Sequence, residues 1–104
     1  MYPPTIAVQK QPQINAFVSE VVKEFFPDVQ RIRFEFAQDW TGEWAVYFHV
    51  LLSDKASKRA NLRKIAPRVR RIISDKIIPE LDMMPHFDFT SQSEQAELKD
   101  PAWA

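Results

Sequence analysis

The side chains most able to do chemistry in this 104-residue chain are cations concentrated in one segment. From Lys55 to Lys76 there are nine basic residues and one acidic residue, a net charge of +8. Because the whole chain has no net charge, the other residues together carry −8. Arginine and lysine at this density are typical of surfaces that bind phosphate groups or an acidic protein. The candidate contacts are Arg59, Arg63, Lys64, Arg68, Arg70 and Arg71.

The same cations have a simpler interpretation as the solvated face of a helix. The segment from Glu80 to Ala104 contains six acidic residues and one lysine, so it could neutralise the basic segment within one chain. The sequence therefore leaves three alternatives open for these cations: a nucleic acid, an acidic protein partner, or solvent.

Catalytic, metal and nucleotide chemistries have little support. His49, His86 and Asp88 could supply metal ligands, but no further ligand follows at a recognisable spacing, so we expect no metal and no other cofactor. The chain has no cysteine and only one glycine, Gly42, which excludes thiolate sites and the glycine-rich phosphate loops of nucleotide enzymes. No nucleophile motif accompanies the histidines. We therefore expect neither an enzyme nor a small-molecule substrate.

The cations must be positioned by a helix, because apolar residues recur at spacings of three and four through residues 62–73. Ser53 and Asp54 are both suitable N-caps for this helix. The apolar pattern keeps its phase across Ala66 and Pro67. Since proline removes one backbone hydrogen bond, we expect one continuous helix with a kink at this step, and an irregular link from Pro79 onwards.

The remaining elements follow from their periodicity. Residues 13–26 have helical apolar spacing, whereas residues 31–37 and 44–52 alternate and are joined by a polar turn, which predicts an antiparallel hairpin. Residues 86–90 alternate as a third strand. The motif Ser91-Gln92-Ser93-Glu94 matches a capping box and predicts a short final helix.

The order α-β-β-α-β predicts one α+β domain over residues 1–104, a two-layer sandwich with its helices on one face of a three-stranded sheet. The sandwich would contain a long kinked basic helix and a short C-terminal helix. We expect residues 1–12 to form an irregular N-terminal arm and residues 100–104 a loose tail. The first residues lack the basic stretch and apolar run of a signal peptide, and no apolar run approaches about 20 residues, so we expect a cytoplasmic protein with no membrane partner.

Strand parity places a second set of candidates on the sheet face away from the helices. Such a face can stack on RNA bases, form a homodimer, or remain solvated. Trp40 in the hairpin turn and Trp103 in the tail are further interface candidates, although we expect Trp40 to pack on its own domain. The sheet-face residues are Arg31, Arg33, Glu35, Tyr47, His49, His86 and Asp88.

In element order, residues 13–89 resemble the KH-type domain of ribosome-binding factor A. The run Ala66-Pro67-Arg68-Val69-Arg70-Arg71 falls where such domains interrupt their long helix and carry basic residues. The run Pro85-His86-Phe87-Asp88-Phe89 falls at their closing strand. The glycine-x-x-glycine loop that clamps a nucleic-acid backbone in KH domains is missing. The resemblance implies a KH-like fold and an RNA or ribosome partner.

Together these observations predict a non-enzymatic binding domain, RNA- or ribosome-associated through the basic helix. The alternative is a protein-interaction subunit, such as the neutralising, antitoxin-like partner of a two-gene toxin–antitoxin pair. In that case the aromatic loop, the sheet face and the tail from Ser91 to Ala104 would dock on the partner protein.

Overall fold

The computed structural model describes residues 5–98, in which it contains four helices and three strands. This arrangement confirms the predicted α+β class and the order α-β-β-α-β. The elements are α1 (Thr5–Phe25), β1 (Val29–Gln38), β2 (Trp44–Leu52), α2 (Asp54–Ser57), α3 (Arg59–Leu81), β3 (Met84–Ser91) and α4 (Gln92–Leu98).

The sheet has the order β1-β2-β3 and is mixed: β1 and β2 are antiparallel, whereas β2 and β3 are parallel. The hairpin turn between β1 and β2 is organised by Asp39. Its Oδ1 accepts hydrogen bonds from the backbone N–H of Thr41 at 2.9 Å and of Glu43 at 3.1 Å. Gly42 adopts a φ of 86°, which a glycine tolerates without strain. The parallel pairing requires the long crossover that α2 and α3 supply.

One face of the sheet is buried under α1 and α3, as predicted. On the central strand the alternate residues Val46, Phe48, Val50 and Leu52 are at most 1% exposed. The helices cover them with apolar stripes of their own, so the core lies between the two layers. The helical core residues include Val18, Val21, Val69, Ile73 and Ile77.

The basic helix differs from its prediction at both ends. It begins after Lys58, whose extended backbone (ψ 140°) separates α2 from α3, and Ser53 caps α2 by accepting from the N–H of Ala56 at 3.1 Å. The helix then continues through Pro67 and Pro79. The irregular link expected between Pro79 and Pro85 is therefore wrong for residues 79–81, because burial of the last helical turn overrides the local penalty of proline, and it shortens to residues 82–83 before β3. The kink between Ala66 and Pro67 stays a prediction.

The N-terminal arm is also more ordered than expected. Helix α1 starts at Thr5 and contains Pro12, so the irregular conformation predicted for residues 1–12 is wrong for residues 5–12. Ala7 is fully buried, and the Nζ of Lys10 lies 3.1 Å from Glu80 Oε2 on α3. These tertiary contacts hold the first turns helical. The predicted loose tail, residues 100–104, lies outside the described residues.

The predicted capping box at Ser91 is confirmed, and hydrogen bonds beside it join α4 to α2. Ser91 Oγ accepts from the N–H of Glu94 at 3.1 Å, and α4 follows directly. The carboxylate of Asp54, in the first turn of α2, accepts from Ser93 N–H at 2.9 Å and from Ser93 Oγ at 2.7 Å. These hydrogen bonds lower the pKa of Asp54.

Candidate functional site

The six predicted cations of α3 lie together on the solvent side of the helix. Their positions alternate with the buried residues Ile65, Val69 and Ile73, so the helix turns its apolar stripe to the core and its cations outward. We call this set the basic surface. It consists of the exposed residues Arg59, Arg63, Lys64, Arg68, Arg70 and Arg71.

Two arginines at the flanks of the basic surface are held over aromatic rings. The Cζ of Arg68 lies 5.0 Å from the ring centroid of Phe25 on α1, and that of Arg70 lies 5.3 Å from the ring of Phe89 on β3. A guanidinium over an aromatic face is attracted by the ring quadrupole, and its N–H edge remains able to donate. Periodicity could not identify these rings, because each contact joins two elements that are distant in the chain.

The basic surface is not neutralised by the acidic residues of the chain in the part that the structure describes. The salt bridges found there join Lys10 and Lys76 to Glu80, and His49 to two carboxylates. Hydrogen bonds from Lys10 and Lys76 lower the pKa of Glu80. Neither lysine belongs to the basic surface. Within the described residues, the interpretation of the six cations as a face paired within the chain therefore lacks the ion pairs it needs.

The cations are also placed where they oppose helix stability. The first turn of α3 has no acidic residue, and Lys58 provides no side-chain cap, so the positive end of the helix dipole meets further positive charge. Arg59 and Arg63, and likewise Lys64 and Arg68, are like charges four residues apart, a spacing that destabilises a helix by about 0.2–0.5 kcal/mol per pair. An anion bound along this face would reverse both effects.

The open sheet face has the composition that strand parity predicts. Across the three strands Arg33 is opposite His49, which is opposite Asp88. In the next row, Glu35 is opposite Tyr47, which is opposite His86. Arg31 lies on the same face of β1, beside Leu51.

His49 is held between two carboxylates in the middle of this face. Its Nδ1 lies 2.7 Å from Asp88 Oδ2, and its Nε2 lies 3.1 Å from Glu35 Oε1. Only the imidazolium can donate to both acceptors at once. Burial alone lowers the pKa of His49, but the hydrogen bonds to Asp88 and Glu35 together outweigh it, so the pKa lies above its ordinary value.

The arrangement around His49 does not form a metal centre. An imidazolium that donates from both nitrogens has no lone pair for a cation, and His86 stacks on Tyr47 instead, with ring centroids 4.9 Å apart. Residues 5–96 contain no group of three or more His, Cys, Asp or Glu side chains that could hold a metal ion.

The raised pKa of His49 gives a pH-dependent contribution to stability. The contribution is fully present below the ordinary histidine value of about 6.5, while the carboxylates are ionised, and is lost as the pH rises through the higher native value. We expect the loss of unfolding free energy in H49Q to be larger at about pH 6 than at about pH 9, measured by urea denaturation. In an E35Q/D88N background the pH dependence of that loss should vanish. An equal loss of unfolding free energy in H49Q at both pH values would contradict a raised pKa for His49.

Trp40 is 95% exposed at the hairpin turn, so the expectation that it packs on its own domain is wrong. The hydrogen bonds of Asp39 close the turn without using the indole. Trp44, in contrast, packs against the core. Two other exposed apolar residues, Met84 and Ile78, line a depression of about 320 Å³ with Trp44. Its acidic residues are Asp39, Glu43 and Asp82. Trp103 lies outside the described residues.

No family model, curated protein or solved structure matches this chain. The resemblance to the KH-type domain of ribosome-binding factor A therefore stays a prediction. Among the described helices, none combines the length and the apolar character needed to cross a membrane.

Proposed function

We propose that this chain is a non-enzymatic, cytoplasmic binding domain that holds RNA through the basic surface of α3. The observation that carries the proposal is the set of six exposed cations with no carboxylate partner among the described residues. From Arg59 to Arg71 they extend over about 18 Å of helix at 1.5 Å per residue. A surface of that length can contact several phosphates of one strand.

The chemistry of the basic surface suits a phosphate backbone. Five of the six cations are arginines, and arginine matches the geometry of phosphate oxygens. Arg68 and Arg70 are already positioned by Phe25 and Phe89, so less side-chain entropy is lost when they bind. Because the glycine-x-x-glycine clamp of KH domains is missing, side chains would supply the phosphate contacts that backbone amides make there.

The alternative function is a protein-interaction subunit of the antitoxin-like kind. The observation that favours it is the exposed indole of Trp40, since tryptophan is a frequent anchor of protein interfaces. The surface around Trp40 lies at the hairpin end of the sheet and has acidic residues at its rim. It would therefore bind a different partner from the one that binds the basic surface. A complex formed there would depend on apolar burial and would be much less sensitive to salt.

The salt dependence of binding tests the proposal. We expect a fluorescently labelled single-stranded oligouridylate to bind at low salt, with the logarithm of the affinity falling linearly with the logarithm of the salt concentration. Four to six phosphate contacts would give a slope of about −3 to −4. Binding of a polyglutamate peptide, measured in the same way, provides the comparison with an acidic protein surface. Failure of the RNA to bind at low salt, or affinity that does not change with salt, would contradict RNA binding.

A further inference from the structure

The outer edge of β1 has the features of a strand that pairs with another strand. Within residues 5–98, β2 is the only strand that pairs with β1. Strand β1 is ten residues long and contains no proline or lysine, two residues that commonly protect an edge from pairing. Its one irregularity against β2 lies at the start of the strand, between Val29 and Arg31. The opposite edge of the sheet, β3, contains Pro85, which has no N–H to donate. The two edges therefore differ in their capacity to accept a further strand.

The sequence of β1 is complementary to itself in one antiparallel register. If Phe34 faces Phe34 across a two-fold axis, Arg33 of each copy lies opposite Glu35 of the other on the open face of the sheet. Moving the axis to Arg33 sets Arg31 against Glu35 but places the two copies of Arg33 opposite each other, and moving it to Glu35 places the two copies of Glu35 opposite each other. Like charges directly opposite are destabilising, so the axis at Phe34 is the one of these three that forms unlike pairs without a like pair. The register centred on Phe34 is also nearly central in the strand, since it pairs residues 30–38 of both copies.

The buried side of the strand fits the same register. The register centred on Phe34 brings Phe36 of one copy next to Ile32 of the other. Ile32 borders a mostly apolar groove of about 310 Å³ between α1 and β1, to which Val18 and Val22 contribute. Phe34 and Phe36 are only half-buried in the single chain, so both would lose further apolar area to a second copy.

We propose that this chain forms a symmetric dimer by antiparallel pairing of β1 with β1 of a second copy, in the register that sets Arg33 against Glu35. Glu35 accepts from His49 through Oε1, and its other oxygen is then available to the second copy. A guanidinium has five donors, so Arg33 can serve several acceptors. Such an interface is isologous and closes on itself, as a dimer requires. It joins two three-stranded sheets into one.

Charge reversal across the axis tests the dimer by sedimentation velocity. We expect the parent to be dimeric, and R33E and E35R each to dissociate at least about tenfold more readily, since each puts two like-charge pairs in the interface. An equimolar mixture of R33E and E35R should recover a heterodimer, because all pairs are then unlike. R31E is the matched control: it lies on the same face of the strand but opposite Ala37, and it should stay dimeric.

The proposal is overturned if the parent is monomeric at every concentration, if each single variant dimerises as the parent does, or if R31E dissociates as readily as R33E. Cysteine cross-linking tests the register independently of charge, and the chain has no cysteine of its own. Oxidation of mixed R33C and E35C chains should give a disulfide-linked heterodimer. R33C alone should not cross-link, because its two Cα atoms would be about 8 Å apart, beyond disulfide reach. Equal cross-linking of R33C alone would refute the register.

Discussion

The F48A variant should lose about 3–5 kcal/mol of unfolding free energy, the largest effect that we expect from a single truncation in this chain. Phe48 is 1% exposed on the central strand. Its ring stacks on Phe87 at 5.4 Å between centroids and packs at a tilt against Phe34 at 6.1 Å. Removing it opens a cavity that both neighbouring strands border. Since a domain of this size has about 5–15 kcal/mol in total, the melting temperature should fall by roughly 12–40 °C.

F34A is the matched control for F48A. The two residues face each other across β1 and β2 and point to the same side of the sheet, but Phe34 is half-buried at the edge. The same truncation should therefore cost clearly less at Phe34 than at Phe48. Urea denaturation, monitored by circular dichroism, measures the unfolding free energies of both variants. Equal losses, or a larger loss in F34A, would show that the core is not centred on β2.

The structural features that depend on one local sequence pattern could be predicted from the sequence. The alternation of residues 44–52 predicted which side of β2 is buried, and the same parity gave the composition of the open face around His49. The capping box at Ser91 predicted α4, because the cap is a local hydrogen bond. The apolar stripe of α3 likewise predicted that its cations face outward.

Features that depend on tertiary contacts were not predictable in this way. The local sequence predicts a helix boundary at Pro12 and at Pro79, yet both lie inside helices, because packing of the adjacent turns outweighs the local penalty. Trp40 was expected to pack on its domain, but the Asp39 turn closes without it. The rings beneath Arg68 and Arg70 come from distant elements, and no spacing along the chain reports such contacts.

The R63E/R71E variant should reduce RNA affinity by about a hundredfold. Neither residue makes a salt bridge or ring contact with the described part of the chain, so the fold should survive, since exposed charges contribute little to stability. A charge about 4 Å from a phosphate contributes about 1 kcal/mol in water. Each reversal replaces that attraction with a repulsion, so two reversals weaken binding by up to about 4 kcal/mol before salt screens them. Screening brings the expected loss to about a hundredfold.

The measurement that tests the role of the basic surface most directly compares this variant with one of equal net charge. K23E/R31E reverses two exposed cations outside the basic surface, which border the groove between α1 and β1. Fluorescence anisotropy of labelled oligouridylate at one fixed salt concentration gives the three affinities. If α3 holds the phosphates, the RNA affinity of R63E/R71E should be about a hundredfold lower than that of the parent. The affinity of K23E/R31E should stay within about threefold of the parental value. Equal losses in both variants, or parental affinity in R63E/R71E, would contradict RNA binding through α3.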